Sequence, residues 1–192
     1  MSKVITLLTG NQGKKRYLEI AAKDLDVEIK VENPWLPEIQ DIDTAKVASF
    51  AACYGADLLN KPVIKMDAGF YIEELKGFPG PLIHSVYEQI GIERFFEIIK
   101  NLKNRNARIE NSLAYCEPHG KPVVFTDGCK GVVVSKLVPI NNETFIGRLF
   151  IPYHNKNKEL KTIGQIRQEN LDLSLEIWGN AGQQFIKWFV NK

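Results

Sequence analysis

The sequence predicts an α/β fold. Two observations carry that prediction: β-rich runs alternate with amphipathic helical stretches, and Gly, Pro and Asn clusters separate them. A third makes it physically reasonable, since 192 residues at 44% hydrophobic content suffice for a real core. Residues 4–8 are apolar and bounded by Thr9-Gly10-Asn11, which reads as a buried strand. Residues 14–25 read as a helix, with Tyr17, Leu18, Ala21, Ala22 and Leu25 on one face. Residues 27–31 read as a second strand, and the prolines of Asn33-Pro34-Trp35-Leu36-Pro37 demand an extended or turned chain. Asp43 or Thr44 caps a helix over 45–59 whose apolar face is Val47, Phe50, Ala51, Tyr54 and Leu58. Residues 63–66 form a strand ending at Asp67-Ala68-Gly69, followed by the loop Gly77-Phe78-Pro79-Gly80-Pro81. A helix is expected over 92–102, strands over 109–116, 123–125, 132–138 and 145–151, and a last amphipathic helix over 183–190 carrying Trp188. No repeat or low-complexity linker divides the chain, so residues 1–192 read as a single domain.

The charge balance is ordinary. Charged residues make up 25% and the formal net charge is +2, which argues against disorder and gives no support for a nucleic-acid footprint. The three cysteines, Cys53, Cys116 and Cys129, are far apart and form no CxxC. That pattern speaks against a disulfide framework or a zinc site and fits a reducing compartment. The N-terminal apolar run is too short for a signal-peptide core, and no apolar stretch approaches the roughly 20 residues of a membrane helix. The expectation is a cytoplasmic protein with no membrane partner. His84, His119 and His154 show no ligand spacing, and Cys129 beside Lys130 reads as structural. Asn142-Glu143-Thr144 matches a glycosylation sequon, discounted because nothing suggests secretion.

One short stretch poses a chemical question. TGNQGKK places Lys14, Lys15 and Arg16 where a strand hands over to a helix. Backbone N–H groups at a helix start attract anions, and glycine lets a phosphate approach. The string is neither a Walker loop nor GxGxxG, and a turn with solvated lysines explains it as well. Two acidic positions add to it. Glu38 follows the rigid Trp35-Leu36-Pro37, and Asp67 sits at a strand end, where ligands of open α/β sheets gather. A carboxylate pair there could hold Mg²⁺, which takes a few carboxylates plus substrate phosphate oxygens.

The order of these motifs resembles the inosine triphosphate pyrophosphatase family. Its T-G-N-x-x-K pattern matches Thr9, Gly10, Asn11 and Lys14; its L-P-E matches Leu36, Pro37 and Glu38. Its acidic strand end matches Met66-Asp67-Ala68-Gly69, its G-x-P-G loop matches residues 77–80, and Lys46 matches a helical lysine. The resemblance implies an elongated, two-lobed fold with a long twisted mixed sheet and a central cleft. It also implies a homodimer and Mg²⁺-dependent hydrolysis of a nucleoside triphosphate to monophosphate and pyrophosphate. Thr9, Gly10, Asn11 and Lys14 would bind phosphate, and Glu38 and Asp67 the metal. Lys14 and Lys46 would offset charge building on the phosphate oxygens. Asp67 has two open roles, metal ligand or base for the attacking water.

The second half departs from the family pattern. Where the family has F-G-W-D-P-x-F, this chain has Phe145-Ile146-Gly147-Arg148-Leu149-Phe150-Ile151, with Arg148 in place of the aspartate. Ser174-Leu175-Glu176 stands where the family has Ser-His-Arg, which donates hydrogen bonds to the purine. Leu175 cannot donate, and Glu176 has the wrong charge for that task. Met66 replaces a frequent acid, and Lys65 beside it adds positive charge. The expectation is therefore hydrolysis with altered base selectivity, read by Phe145, Arg148 and Ser174, or by Phe150. The alternative is a catalytically weak or inactive nucleotide-binding protein on the same fold.

Overall fold

The computed structural model describes residues 3–23, 25–141, 144–154 and 156–192. The sequon therefore lies largely outside the described residues. In chain order the elements are β1 (Lys3–Leu8), α1 (Gln12–Ala21), β2 (Val27–Glu32), α2 (Thr44–Leu59) and β3 (Val63–Ile72). They continue with β4 (Pro79–Gly80), α3 (Ile83–Ile99), β5 (Asn106–Cys116), β6 (Val123–Val133), α4 (Phe145–Leu149) and β7 (Phe150–Pro152). The last three are α5 (Ile163–Glu169), α6 (Leu171–Glu176) and α7 (Ala181–Asn191). This is the mixed α/β class expected from the sequence. The strand order is β2-β1-β3-β5-β6-β7, with β4 paired to β3. β1 runs parallel to β2 and β3, while β4 pairs antiparallel with β3 and β7 with β6.

The chain divides into two compact units. The first comprises Met1–Asp67, Asn111–Asp127 and Gly179–Lys192. Leu8, Ala48, Ala52, Ala56, Val63, Ala114 and Cys116 form one of its cores. Helix α2 here corrects the expected apolar face. Its buried residues are Thr44, Val47, Ala48, Ala51, Ala52, Gly55 and Ala56, whereas Phe50, Tyr54 and Leu58 are 38%, 41% and 53% exposed. Close approach to the strands selects small side chains, so the large ones turn outward. Phe50 and Tyr54 stack on each other with ring centroids 6.2 Å apart. Helix α1 ends at Ala21, short of Leu25, which is exposed. The cysteine expectation also fails: Cys53 on α2 and Cys116 on β5 form a disulfide, which leaves Cys129 as the free thiol. Unpaired cysteines thus give no argument for a reducing compartment. Helix α7 packs Phe185 and Trp188 against Tyr115 and Phe125, with centroids 5.2–6.3 Å apart.

The second unit comprises Ala68–Glu110 and Gly128–Trp178. Its core gathers Phe70, Ile72, Phe95, Ile109, Phe145, Leu149, Phe150 and Ile163. Helix α3 begins nine residues earlier than the sequence suggests, at Ile83, with a break at Gly91 where φ is +71°. The expected strand over 145–151 is mostly α4, whose first turn is capped by the Thr144 hydroxyl accepting from Gly147 N–H at 3.1 Å. Only Phe150–Pro152 pairs with β6. The two expected strands at 123–125 and 132–138 are one strand, β6, which stops at Val133. Inside the expected 77–81 loop, Pro79 and Gly80 make a short ladder with Tyr71 and Phe70.

Candidate active site

The glycine turn lies at the carboxyl end of β1. Thr9 N–H donates to the Glu32 carbonyl at 2.9 Å, and Thr9 Oγ1 accepts from Asn11 N–H at 3.0 Å. Asn11 is the N-cap of α1, its Oδ1 accepting from Gly13 N–H at 2.8 Å and Lys14 N–H at 3.3 Å. Its side chain is therefore already employed in satisfying the orphan donors of the first helical turn. A Cβ at Gly10 would sit 3.0 Å from Asn33 Nδ2, so the Asn33 side chain would have to give way by a few tenths of an ångström. Asn33 was not foreseen as part of this turn, since its contact with Gly10 arises only from strand pairing.

Lys14 does not point into bulk water. Its ammonium donates to the Met66 carbonyl of β3 at 2.6 Å. Burial pushes its pKa down, the neighbouring Asp67 pulls it up, Lys65 pushes it down and Glu38 pulls it up. The structure thus brings Lys14, Asp67 and Glu38 into electrostatic reach, although they come from three separated segments of sequence. Asp67 is half-buried and Glu38 exposed. Lys46, expected beside the phosphates, is exposed and ion-pairs with Asp41 at 3.3 Å. Asp43 caps α2, its Oδ1 accepting from Ala45 N–H at 2.8 Å.

Mg²⁺ needs only one or two protein carboxylates when phosphate oxygens complete its shell. Among the described residues no three His, Cys, Asp or Glu side chains gather into a metal-binding group. Two carboxylates facing one lysine fit a metal held jointly with a phosphate ligand, not a protein-only cage.

The residues expected to read the base all lie in the second unit. Phe145 is 4% exposed and packs on Phe95 and Tyr87, with centroids 4.7 and 5.5 Å away. Ser174 is fully buried, its hydroxyl donating to the Leu171 carbonyl at 2.6 Å. Arg148 Nε donates to the Val138 carbonyl at 3.0 Å, and its Nη1 lies 3.7 Å from Glu93. Glu176, in the departed Ser-Leu-Glu string, pairs with Lys156 at 2.8 Å. Phe150 is buried against Phe70.

The model of the Ham1 family matches residues 5–188. This chain belongs to the Ham1 family. Among its Ham1-family relatives, a protein of Methanopyrus kandleri named dITP/XTP pyrophosphatase is 30% identical over 188 residues, covering 97% of this chain and 96% of that protein. One of the same name from Methanosarcina mazei is 30% identical over 186 residues, covering 97% of each chain. A HAM1 protein structure from Coxiella burnetii superposes with a TM-score of 0.78 at 18% identity, covering 99% of this chain and all of that one. At that identity the likeness concerns the fold. The family resemblance read from the motifs therefore holds. Within this Ham1-family chain, Thr9, Gly10, Asn11, Lys14, Glu38, Lys46 and Asp67 lie in the first unit, whereas Ala68-Gly69, the 77–80 loop and the departed base-binding strings lie in the second.

Proposed function

We propose that this chain hydrolyses a nucleoside triphosphate to the monophosphate and pyrophosphate, with Mg²⁺ as its cofactor. One observation supports the reading above all: Lys14, Asp67 and Glu38 lie close together in the first unit, beside the glycine turn. The names carried by the relatives agree with it.

In this reading Thr9, Gly10 and Asn11 present the start of α1 to phosphate oxygens. Lys14, held at the Met66 carbonyl, exchanges that partner for a phosphate oxygen and offsets negative charge in the transition state. Lys46 reaches phosphate by leaving Asp41. Glu38 and Asp67 are the residues that would hold Mg²⁺; when bound, the ion polarises the phosphoryl group and neutralises the departing pyrophosphate. The oxygen of water bonds to the α-phosphorus and the bond to the bridging oxygen breaks. The water proton is lost, to Asp67 if that residue acts as the base.

Base selectivity differs from that of a Ser-His-Arg site, because neither Leu175 nor Glu176 can donate a hydrogen bond. Arg148 is the proposed base contact, with Phe145 and Ser174 holding its segment in shape. The functional form is proposed to be one nucleotide-hydrolysing domain, a homodimer, acting in the cytoplasm. Among the described residues no helix is long and apolar enough to cross a membrane.

The test is pyrophosphate release with Mg²⁺ across inosine, xanthosine, guanosine, adenosine, uridine and cytidine triphosphates and their deoxy forms. Release from at least one is expected, falling about 100-fold or more in Asp67→Asn. If no nucleotide is cleaved while one still raises the unfolding midpoint, the chain is a binding protein instead.

A further inference from the structure

We propose that Lys65 is a second phosphate-binding cation, so that the polyphosphate chain is gripped by a pair of lysines, Lys14 and Lys65. The proposal rests on the reading that the first unit receives a nucleoside triphosphate.

Successive β-strand side chains face opposite ways. Met66 is 2% exposed and turned into the core, so Lys65 and Asp67 on either side of it turn to the other face together. Both are half-buried. Register places that face at the glycine turn. Leu7 of β1 is the partner of Ile64 on the parallel strand β3, so Lys65 follows Ile64 just as Leu8, Thr9 and Gly10 follow Leu7. The Lys14 ammonium sits on the carbonyl of Met66, the residue between Lys65 and Asp67.

Two ammonium groups thus share one partly dry place. Strand register puts Lys65 one residue before the carbonyl that holds the Lys14 ammonium, on the face it shares with Asp67. Lys46 is compensated by Asp41, but among the described residues Lys65 forms no ion pair. Asp67 and Glu38 already offset charge at Lys14, and a polyphosphate that enters beside them meets a second ammonium group in Lys65, so both lysines contribute to holding it. The ligand that fits is a polyphosphate, whose successive phosphoryl groups can meet both cations. Lys65 reads charge and carries no information about the base.

The experiment measures binding of inorganic tripolyphosphate by calorimetry to the wild type, Lys65→Met and Lys65→Arg, and the KM and kcat of each on the best nucleotide. Loss of one charge-assisted contact predicts about tenfold weaker tripolyphosphate binding in Lys65→Met, largely restored in Lys65→Arg. KM rises by a similar factor, while kcat stays within a few-fold. The unfolding midpoint of ligand-free Lys65→Met stays close to that of the wild type, because among the described residues Lys65 forms no ion pair that the change would break. Wild-type tripolyphosphate binding and KM in Lys65→Met overturn the proposal, while pyrophosphate release by the wild type leaves the functional reading standing. Lys65-dependent tripolyphosphate binding without pyrophosphate release from any nucleotide has the reverse meaning. A wild type that neither binds tripolyphosphate nor cleaves nucleotides sinks both.

Discussion

Tyr17 shows how much one buried hydroxyl can tie together. From α1 its O–H donates to the Gly179 carbonyl at 2.8 Å and accepts from Gly182 N–H at 2.9 Å, 162 and 165 residues away. Burial pushes its pKa up, with the Gly182 hydrogen bond acting against that. A folded-state pKa above the unfolded value near 10 means that protonated Tyr17 stabilises the fold below that pH. The contribution is lost as pH rises through the raised folded value. Tyr17→Phe strands both backbone groups and is expected to cost about 1–3 kcal/mol. Thermal melts at neutral pH should show a midpoint lower by several degrees. Melts at strongly alkaline pH should show a smaller gap between variant and wild type. Asn11 teaches a different lesson at this scale: a residue singled out for phosphate binding already has a sufficient structural reason to be asparagine, the helix cap.

Helix α2 illustrates the limit of periodicity at the element scale. The 3.6-residue repeat located the helix and left Asp43 or Thr44 as its cap, of which Asp43 caps it; of the expected apolar face only Val47 and Ala51 are buried, and the large Phe50, Tyr54 and Leu58 are not. The buried stripe runs through Ala48, Ala52, Gly55 and Ala56 because the helix lies close to the strands it covers. At Gly55 a Cβ would sit 2.3 Å from Leu8 Cδ1, and Leu8 is itself 1% exposed. Gly55→Ala would ordinarily strengthen a helix by about 1 kcal/mol. Overpacking against Leu8 costs about 1–3 kcal/mol, so a net loss of about 1 kcal/mol is expected. Chemical denaturation would measure it; a more stable variant would show that Leu8 moves aside freely and that α2 is not held at this distance.

At the scale of the whole molecule the Cys53–Cys116 disulfide is the largest single constraint. It joins residues 63 apart in sequence, linking α2 to β5. Loop-closure entropy assigns such a cross-link about 4 kcal/mol through the unfolded state. Reduction with a small dithiol should lower the unfolding midpoint markedly, and Cys53→Ala should melt like the reduced wild type. Thiol titration of the denatured, unreduced chain should count one thiol, that of Cys129. A count of three would remove the constraint. At this scale the candidate phosphate and metal residues Thr9, Gly10, Asn11, Lys14, Glu38 and Asp67 lie in the first unit, while the retained 77–80 loop lies in the second together with the rewritten strings.

Short-range information was legible without coordinates. Strand β1, the glycine turn, helix α1, the L-P-E segment and the start of β3 declare themselves through turn residues, caps and periodicity, each spanning a few neighbours; β3 does not end at Asp67 as its turn residues suggest but runs through it to Ile72. Their order was enough to give the α/β class and the family. Longer-range questions were decided by tertiary structure. Which face of α2 is buried depends on how near the strands lie, and residues 145–149 become helical in a core completed by Phe95 and Tyr87. The cysteine pairing depends on α2 and β5 meeting. The meeting of Lys14 with Met66, Asp67 and Glu38 depends on β1 and β3 lying parallel, side by side. The physical reason is the same in each case: the partner that settles the outcome is tens of residues away, and only the folded chain brings it into contact.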